Sequence, residues 1–115
     1  MSGRNVNIDR SEPGVAIVAL TGEHETYTAE KLRHDLRALL EDGCGVVLDL
    51  TQAIFLDSAV VAAILEARAL AAEHGVKFAL VMDEHTGPAV QRLFELTGLR
   101  SVLTVAPSRD AALAR

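Results

Sequence analysis

The sequence contains few aromatic residues and a single cysteine. Phenylalanine, tyrosine and tryptophan together make up 3% of its 115 residues, and tryptophan is absent. The core must therefore be aliphatic, and few flat side chains are available for stacking on bases or sugars. Cys44 cannot form an internal disulfide, and no other cysteine or histidine lies at metal-ligand spacing from it. We expect a loop thiol without a chemical role.

Long apolar runs and concentrated basic charge are also missing. No apolar stretch approaches the roughly 20 residues that a membrane-spanning helix needs, and the first five residues, MSGRN, lack the apolar segment of a signal peptide. The formal net charge is −5 and the arginines are scattered among acids, which argues against a nucleic-acid partner. These features predict a cytoplasmic protein with no membrane span and no nucleic-acid partner.

What the chain does have is enough apolar residues for one core. Half of its residues are hydrophobic and 23% are charged, and a chain of this length buries about two-thirds of its unfolded surface. We therefore expect a single domain over residues 1–115, with its core at about residues 5–113, as a monomer or weak dimer.

Apolar runs and helical periodicities alternate along the chain. Short β-branched runs predict strands at residues 15–20, 46–50, 77–82 and 101–105, with an edge strand at 5–10. Apolar residues at helical spacing predict helices at 28–41, 58–74 and 88–97, and a C-terminal helix that starts near Ser108 and Asp110. Strands separated by helices of this length favour an α/β fold with parallel pairing and helical crossovers.

Ser58 directly follows Asp57 where the apolar run at 53–56 ends and a long helical segment begins. Its hydroxyl should lie exposed at a strand-to-helix corner, where a phosphate would meet free N–H groups and the positive end of the helix dipole. Both residues are also preferred helix caps, and a plain cap is the competing interpretation. A phosphoacceptor would need a kinase in trans, because the chain has no glycine-rich phosphate loop.

A second group of polar residues, Glu23, His24 and Glu25, follows the strand at 15–20 and should reach the same edge of a parallel sheet. General acid–base catalysis by this group lacks a nucleophile and base at recognisable spacing, so a solvated turn is the simpler account. A phosphoaspartate receiver with Asp57 as acceptor is disfavoured. Receivers have a lysine after their last strand, and no lysine follows the last predicted strand here. We therefore expect neither an enzyme nor a cofactor.

The remaining histidines give no sign of a metal site. His34, His74 and His85 are isolated in the sequence from each other and from acidic clusters, which predicts solvent-facing positions rather than metal ligation.

Several motifs in order and spacing make almost the whole chain resemble the STAS domain of bacterial anti-sigma factor antagonists. They are LTGE at 20–23, VVLDL at 46–50, FLDS at 55–58, AVQRLF at 89–94 and TGL at 97–99. The resemblance implies a mixed β-sheet with helical crossovers, and a phosphorylated serine that matches Ser58.

The same resemblance implies a partner and a switch. In that family the unmodified antagonist binds an anti-sigma factor that is itself a serine kinase, phosphorylation weakens the complex, and a phosphatase restores it. The partner surface would comprise the 23–25 loop and the start of the helix after the corner: Glu23, His24, Glu25, Asp57, Ser58, Ala59, Val60 and Val61.

The sequence departs from the family pattern beside the serine. Family members commonly have Asp-Ser-Ser/Thr-Gly-Leu, whereas this chain has Ala59, Val60 and Val61 after Ser58, and Glu25 stands where an aspartate is usual. These departures leave open an alternative function, that of a non-phosphorylated interaction module in a stress-signalling or lipid-transport complex.

Overall fold

The computed structural model describes residues 5–114, which form one six-stranded sheet with helices on both faces. Its strands are β1 (Asn5–Asp9), β2 (Val15–His24), β3 (Gly45–Asp49), β4 (Ala53–Leu56), β5 (Phe78–Val81) and β6 (Val105–Ala106). Its helices are α1 (Thr26–Glu41), α2 (Ser58–His74), α3 (Pro88–Thr97), α4 (Leu99–Val102) and α5 (Arg109–Ala114). None of the helices within residues 5–114 has both the length and the apolar character to cross a bilayer.

The sheet is mixed, with strand order β1-β2-β3-β5-β6. β1 runs antiparallel to β2, whereas the pairs β2–β3, β3–β5 and β5–β6 are parallel. β4 lies off this order and pairs in parallel with the far end of β2. The predicted α/β fold with a mixed sheet is therefore confirmed, and all parallel pairs place their carboxyl ends at one edge of the sheet.

Every residue of the central strand β3 is buried, because both faces of the sheet are covered. Val46 and Leu48 face the larger core cluster with α1, α2 and α3, while Val47 faces the smaller cluster with α5. Side chains alternate between the faces of a strand, so a strand covered on both sides is apolar at nearly every position. This explains the continuous apolar run that predicted β3 from the sequence.

Two polar contacts hold the short helix α5 against the second face. The Nζ atom of Lys77 donates a 2.8 Å hydrogen bond to the carbonyl oxygen of Ala112. The Nε atom of Arg109 donates a 2.7 Å hydrogen bond to Asp49, whose carboxylate is nearly inaccessible in β3. Ala112 itself is buried against the sheet. The helix predicted to begin near Ser108 is confirmed, and the hydroxyl of Ser108 accepts the Ala111 N–H.

The strand predicted at 101–105 is wrong for most of its length. Gly98, with φ of 71°, ends α3 and starts α4, and the amide N–H groups of Ser101 and Leu103 donate to Gly98 and Leu99. Only Val105 and Ala106 reach β5. The β-branched run that predicted a strand instead begins in the helical turn α4, which ends at the buried Leu103.

Candidate functional site

The corner between β4 and α2 presents the Ser58 hydroxyl to solvent. Ser58 is exposed and is the first residue of α2, and Asp57 is the N-cap. The Oδ1 atom of Asp57 accepts hydrogen bonds from the N–H groups of Ala59, at 3.0 Å, and Val60, at 3.1 Å. Within residues 5–114, the Ser58 hydroxyl makes no hydrogen bond. Because Asp57 alone caps the helix, the serine oxygen is accessible and has no structural role to lose.

The second oxygen of Asp57 joins the corner to α1. Oδ2 accepts a 2.9 Å hydrogen bond from the hydroxyl of Thr26, and the Asp57 N–H donates to the carbonyl oxygen of His24. Burial by itself raises the pKa of Asp57, but hydrogen bonds from Val60, Thr26 and Ala59 to the carboxylate outweigh it and lower the pKa below its ordinary value. A fixed negative charge therefore lies directly beside Ser58.

The pairing of β2 with β4 brings the two predicted polar segments together. Glu23 pairs with Phe55 and His24 pairs with Leu56, so the end of β2 lies beside the residues that precede Ser58. Glu23 and Glu25 are exposed, and Ala59 and Val61 are partly buried at the start of α2. Six of the eight predicted partner-surface residues thus have accessible side chains at one corner: Glu23, Glu25, Asp57, Ser58, Ala59 and Val61.

The other two predicted surface residues are buried. β2 extends to His24 rather than ending at residue 20, and the side chain of His24 is 1% exposed, with Nε2 2.9 Å from the Thr21 carbonyl oxygen. The solvated turn expected there is wrong for this residue. Val60 is 0% exposed. Both side chains support the corner from inside and cannot touch a protein that docks on it without rearrangement.

The burial of Val60 bears on the departure from the family pattern. The β-branched side chain that replaces the usual glycine belongs to the larger core cluster, together with Leu56 and Ile64. It therefore adds no bulk to the surface around Ser58. The residue after Ser58 is alanine, which is also small.

Sequence reasoning missed three residues at this corner. Thr26 was not assigned a role, although it begins α1 and bonds to Asp57. Ile54 and Phe55 were assigned no role beyond belonging to an apolar run, and both are exposed on β4. The sequence signal for Thr26 is a hydroxyl residue at a helix start, whereas the exposure of Ile54 and Phe55 depends on strand pairing and has no local signal.

The histidines outside β2 are exposed, as predicted for His34, His74 and His85. The expectation that His85 is isolated from acidic groups is wrong, because candidate ligand atoms of Asp83, Glu84 and His85 all lie within 4.8 Å of one another. Oδ1 of Asp83 already accepts the His85 N–H, at 2.8 Å, in a local turn. Such a turn accounts for the cluster without a metal.

Solved structures of several anti-sigma factor antagonists share this architecture. An anti-sigma factor antagonist from Mycobacterium paratuberculosis superposes with a TM-score of 0.81 at 27% identity, over 96% of this chain and 91% of that one. The anti-sigma factor antagonist SpoIIAA in its unphosphorylated form gives a TM-score of 0.78 at 17% identity, over 93% of this chain and 92% of that one. The Bacillus cell fate determinant SpoIIAA in its phosphorylated form gives 0.74 at 17% identity, over 96% and 98%.

A family model agrees with this structural likeness. The model of the STAS domain matches residues 8–112, which include every strand from β2 to β6 and the whole Ser58 corner. On the sequence match, the sheet topology and the structural neighbours together, this chain belongs to the STAS domain family.

Proposed function

We propose that this chain is an anti-sigma factor antagonist that binds a serine-kinase anti-sigma factor and is switched by phosphorylation at Ser58. The observation that carries the proposal is the exposed serine hydroxyl that makes no hydrogen bond, at the start of α2 beside Asp57. In the unmodified state the corner binds the anti-sigma factor, and the sigma factor is released to direct transcription. A phosphatase returns the modified chain to this state.

The chemistry of the switch follows from what phosphorylation changes at the corner. The kinase transfers the γ-phosphoryl group of ATP to the Ser58 oxygen, the serine proton is lost, and ADP leaves. The product carries about −1.5 to −2 charges next to the ionised carboxylate of Asp57. A neutral hydroxyl can be covered by a partner at little cost, whereas a dianion must lose its hydration and is repelled by Asp57.

Two comparisons support this proposal. The relative at 27% identity is an anti-sigma factor antagonist, and it matches nearly the full length of both chains. A structural relative, SpoIIAA, has been solved in a phosphorylated form, which is consistent with phosphorylation on this fold.

The test incubates the purified chain with ATP and each candidate serine kinase from the same cell, and then maps the phosphate by mass spectrometry. We expect one phosphate on Ser58 and none on Ser58→Ala. Ser108→Ala is the matched control, because Ser108 is also an exposed serine at a helix start, but its hydroxyl accepts an N–H. It should be phosphorylated like the wild type.

A binding measurement distinguishes the phosphorylation switch from the alternative function, that of a non-phosphorylated interaction module. If the chain binds an anti-sigma factor tightly and no kinase modifies Ser58, the phosphorylation switch is wrong and a non-phosphorylated interaction module in a stress-signalling or lipid-transport complex takes its place. If phosphorylation occurs and lowers affinity tenfold or more, the switch is supported.

A further inference from the structure

Two of the four aromatic side chains in this chain are exposed, and both are close in sequence to residues of the Ser58 corner. The sequence has three phenylalanines and one tyrosine. Phe94 is buried and Phe78 is partly buried, whereas Tyr27 is 87% exposed and Phe55 is 41% exposed. Tyr27 follows Thr26, which bonds to Asp57, and Phe55 is three residues before Ser58. Exposed aromatics are enriched where proteins bind one another.

A β-bulge turns two consecutive apolar side chains of β4 outward. Gly22 of β2 pairs with Ala53 and the next residue, Glu23, pairs with Phe55, so Ile54 is the extra residue. Ile54 is 55% exposed, beside Phe55. In a regular strand one of two adjacent side chains would face the core. The bulge therefore creates an apolar pair, Ile54 and Phe55, on the surface.

The bulge is held in place by the loop that precedes α3. The Gly87 N–H donates a 2.9 Å hydrogen bond to the carbonyl oxygen of Ala53. A Cβ atom at Gly87 would lie 2.8 Å from the Cα of Ile54, so the loop backbone packs directly on the bulge. The outward position of the apolar pair is therefore a fixed feature of the fold rather than a loose strand end.

The groups around this pair carry negative charge. Glu23 pairs directly with Phe55. Glu25 is the N-cap residue of α1, and Asp57 is the residue directly after β4. Glu23 and Glu25 are exposed, and neither forms an ion pair within residues 5–114. An apolar centre with an acidic rim is complementary to an apolar pocket with a basic rim.

On this basis, and resting on the proposed function, we infer that Ile54 and Phe55 are the apolar anchor of the complex with the anti-sigma factor. The anchor enters an apolar pocket of the partner, and basic side chains at the rim of that pocket face Glu23 and Glu25. Ser58 then lies at the border of a docked surface, where the phosphate would have to be desolvated.

The negative rim and the phosphate switch act on different quantities. Exposed rim charges mainly steer the encounter and raise the association rate. A phosphate on Ser58 is penalised after contact, because the docked anchor excludes water from the corner. The inference therefore predicts salt-sensitive association of the unmodified chain together with faster dissociation of the phosphorylated one.

The experiment measures affinity for each purified serine-kinase anti-sigma factor from the same organism by calorimetry, with rates from stopped-flow. The variants are Phe55→Ser and Ile54→Ser, with Leu96→Ser as the matched control. Leu96 is a 76% exposed leucine in the last turn of α3, outside the corner. Circular dichroism melting verifies that each variant is folded, which the exposure of both residues favours.

We expect each anchor variant to weaken binding at least tenfold through faster dissociation, while Leu96→Ser changes it less than twofold. Glu23→Gln with Glu25→Gln should slow association severalfold at low salt. If wild type binds and both anchor variants bind equally well, the anchor is wrong while the proposed function stands. If wild type binds no anti-sigma factor, both fail. If sedimentation shows that the variants only break a homodimer and keep partner binding, the pair serves self-association and the inference is overturned.

Discussion

The hydroxyl of Thr26 donates a 2.9 Å hydrogen bond to the carboxylate of Asp57, 31 residues later in the chain. The same carboxylate accepts the N–H groups of Ala59 and Val60. One side chain thus joins the first turn of α1 to the first turn of α2 and caps the latter. The neighbouring Ser58 is positioned by this arrangement, but its hydroxyl takes no part in the bonds that place it.

Asp57→Ala should destabilise the fold, whereas Ser58→Ala should not. The first change removes the N-cap of α2 and the bond from Thr26, and loss of a cap of this kind lowers the melting temperature by about 5 °C in a domain of this size. The second removes a hydroxyl without a hydrogen bond. Thermal melting followed by circular dichroism measures both, and equal melting temperatures would contradict the assignment of the cap.

Thr26→Val should raise the pKa of Asp57 toward its ordinary value. The threonine hydroxyl stabilises the charged carboxylate, and valine has nearly the same shape without the donor. An NMR titration of the Asp57 carboxyl carbon in both proteins measures the difference. Thr28→Val is the control, because that hydroxyl donates to the Glu25 carbonyl oxygen and not to Asp57; a shift of similar size there would contradict the prediction.

Stability should decrease at acid pH through Asp49. Burial raises the pKa of Asp49, but hydrogen bonds from Thr51 and Arg109 outweigh it and lower the pKa. Its charged form is therefore favoured by folding, so the stabilisation is complete above the ordinary aspartate pKa of about 3.9 and is lost as the pH falls through the lowered value.

Urea unfolding at pH 7 and pH 3 tests this dependence in wild type and in Arg109→Gln. The variant loses the 2.7 Å bond to Asp49, so its free energy of unfolding should be lower at pH 7 and should change less between the two pH values. An unchanged difference between pH 7 and pH 3 would show that Arg109 does not stabilise the charged carboxylate.

Val60→Ala should cost stability without affecting phosphorylation. The side chain is fully buried, and removing two buried methyl groups costs about 2 kcal/mol, including the cavity left behind. Since Val60 faces the core, the kinase should modify Ser58 at the wild-type rate. Val61→Ala, at a partly buried position, should cost less. A changed phosphorylation rate in folded Val60→Ala would mean that this residue does shape the kinase contact.

Gly87→Ala should destabilise the β4 bulge. The added Cβ would lie 2.8 Å from the Cα of Ile54 and 2.9 Å from the carbonyl oxygen of Ala53, and backbone atoms cannot move aside as side chains do. Forced overpacking of this kind costs roughly 1–3 kcal/mol. Urea unfolding measures the loss, and a variant as stable as wild type would show that the loop can shift away from the strand.

The main elements could be predicted from the sequence because their apolar patterns match the way they are buried. β3 is covered on both faces and reads as a continuous apolar run, and α1 buries Leu32, Leu36 and Leu40 at helical spacing. The exposure of Ser58 also followed from its place after a strand and before a helix. These features depend on residues close together in the chain.

What could not be predicted depends on contacts between distant segments. The 53–56 run is apolar, yet its pairing with β2 inserts a bulge that exposes Ile54 and Phe55. His24 is polar, yet the same pairing buries it, and Asp57 rather than Ser58 is the helix cap, with its second carboxylate oxygen bound by Thr26. Strand register and hydrogen bonds across 31 residues leave no periodic signal in either segment.

The hydrogen bonds that join α5 to Lys77 and Asp49 have a consequence for the purified protein. Helix α5 covers an apolar patch formed by Val47, Ala79 and Val81. Proteolysis before Arg109 would expose this apolar patch on β3 and β5. Protein cleaved there should aggregate on storage, although the Ser58 corner would remain intact.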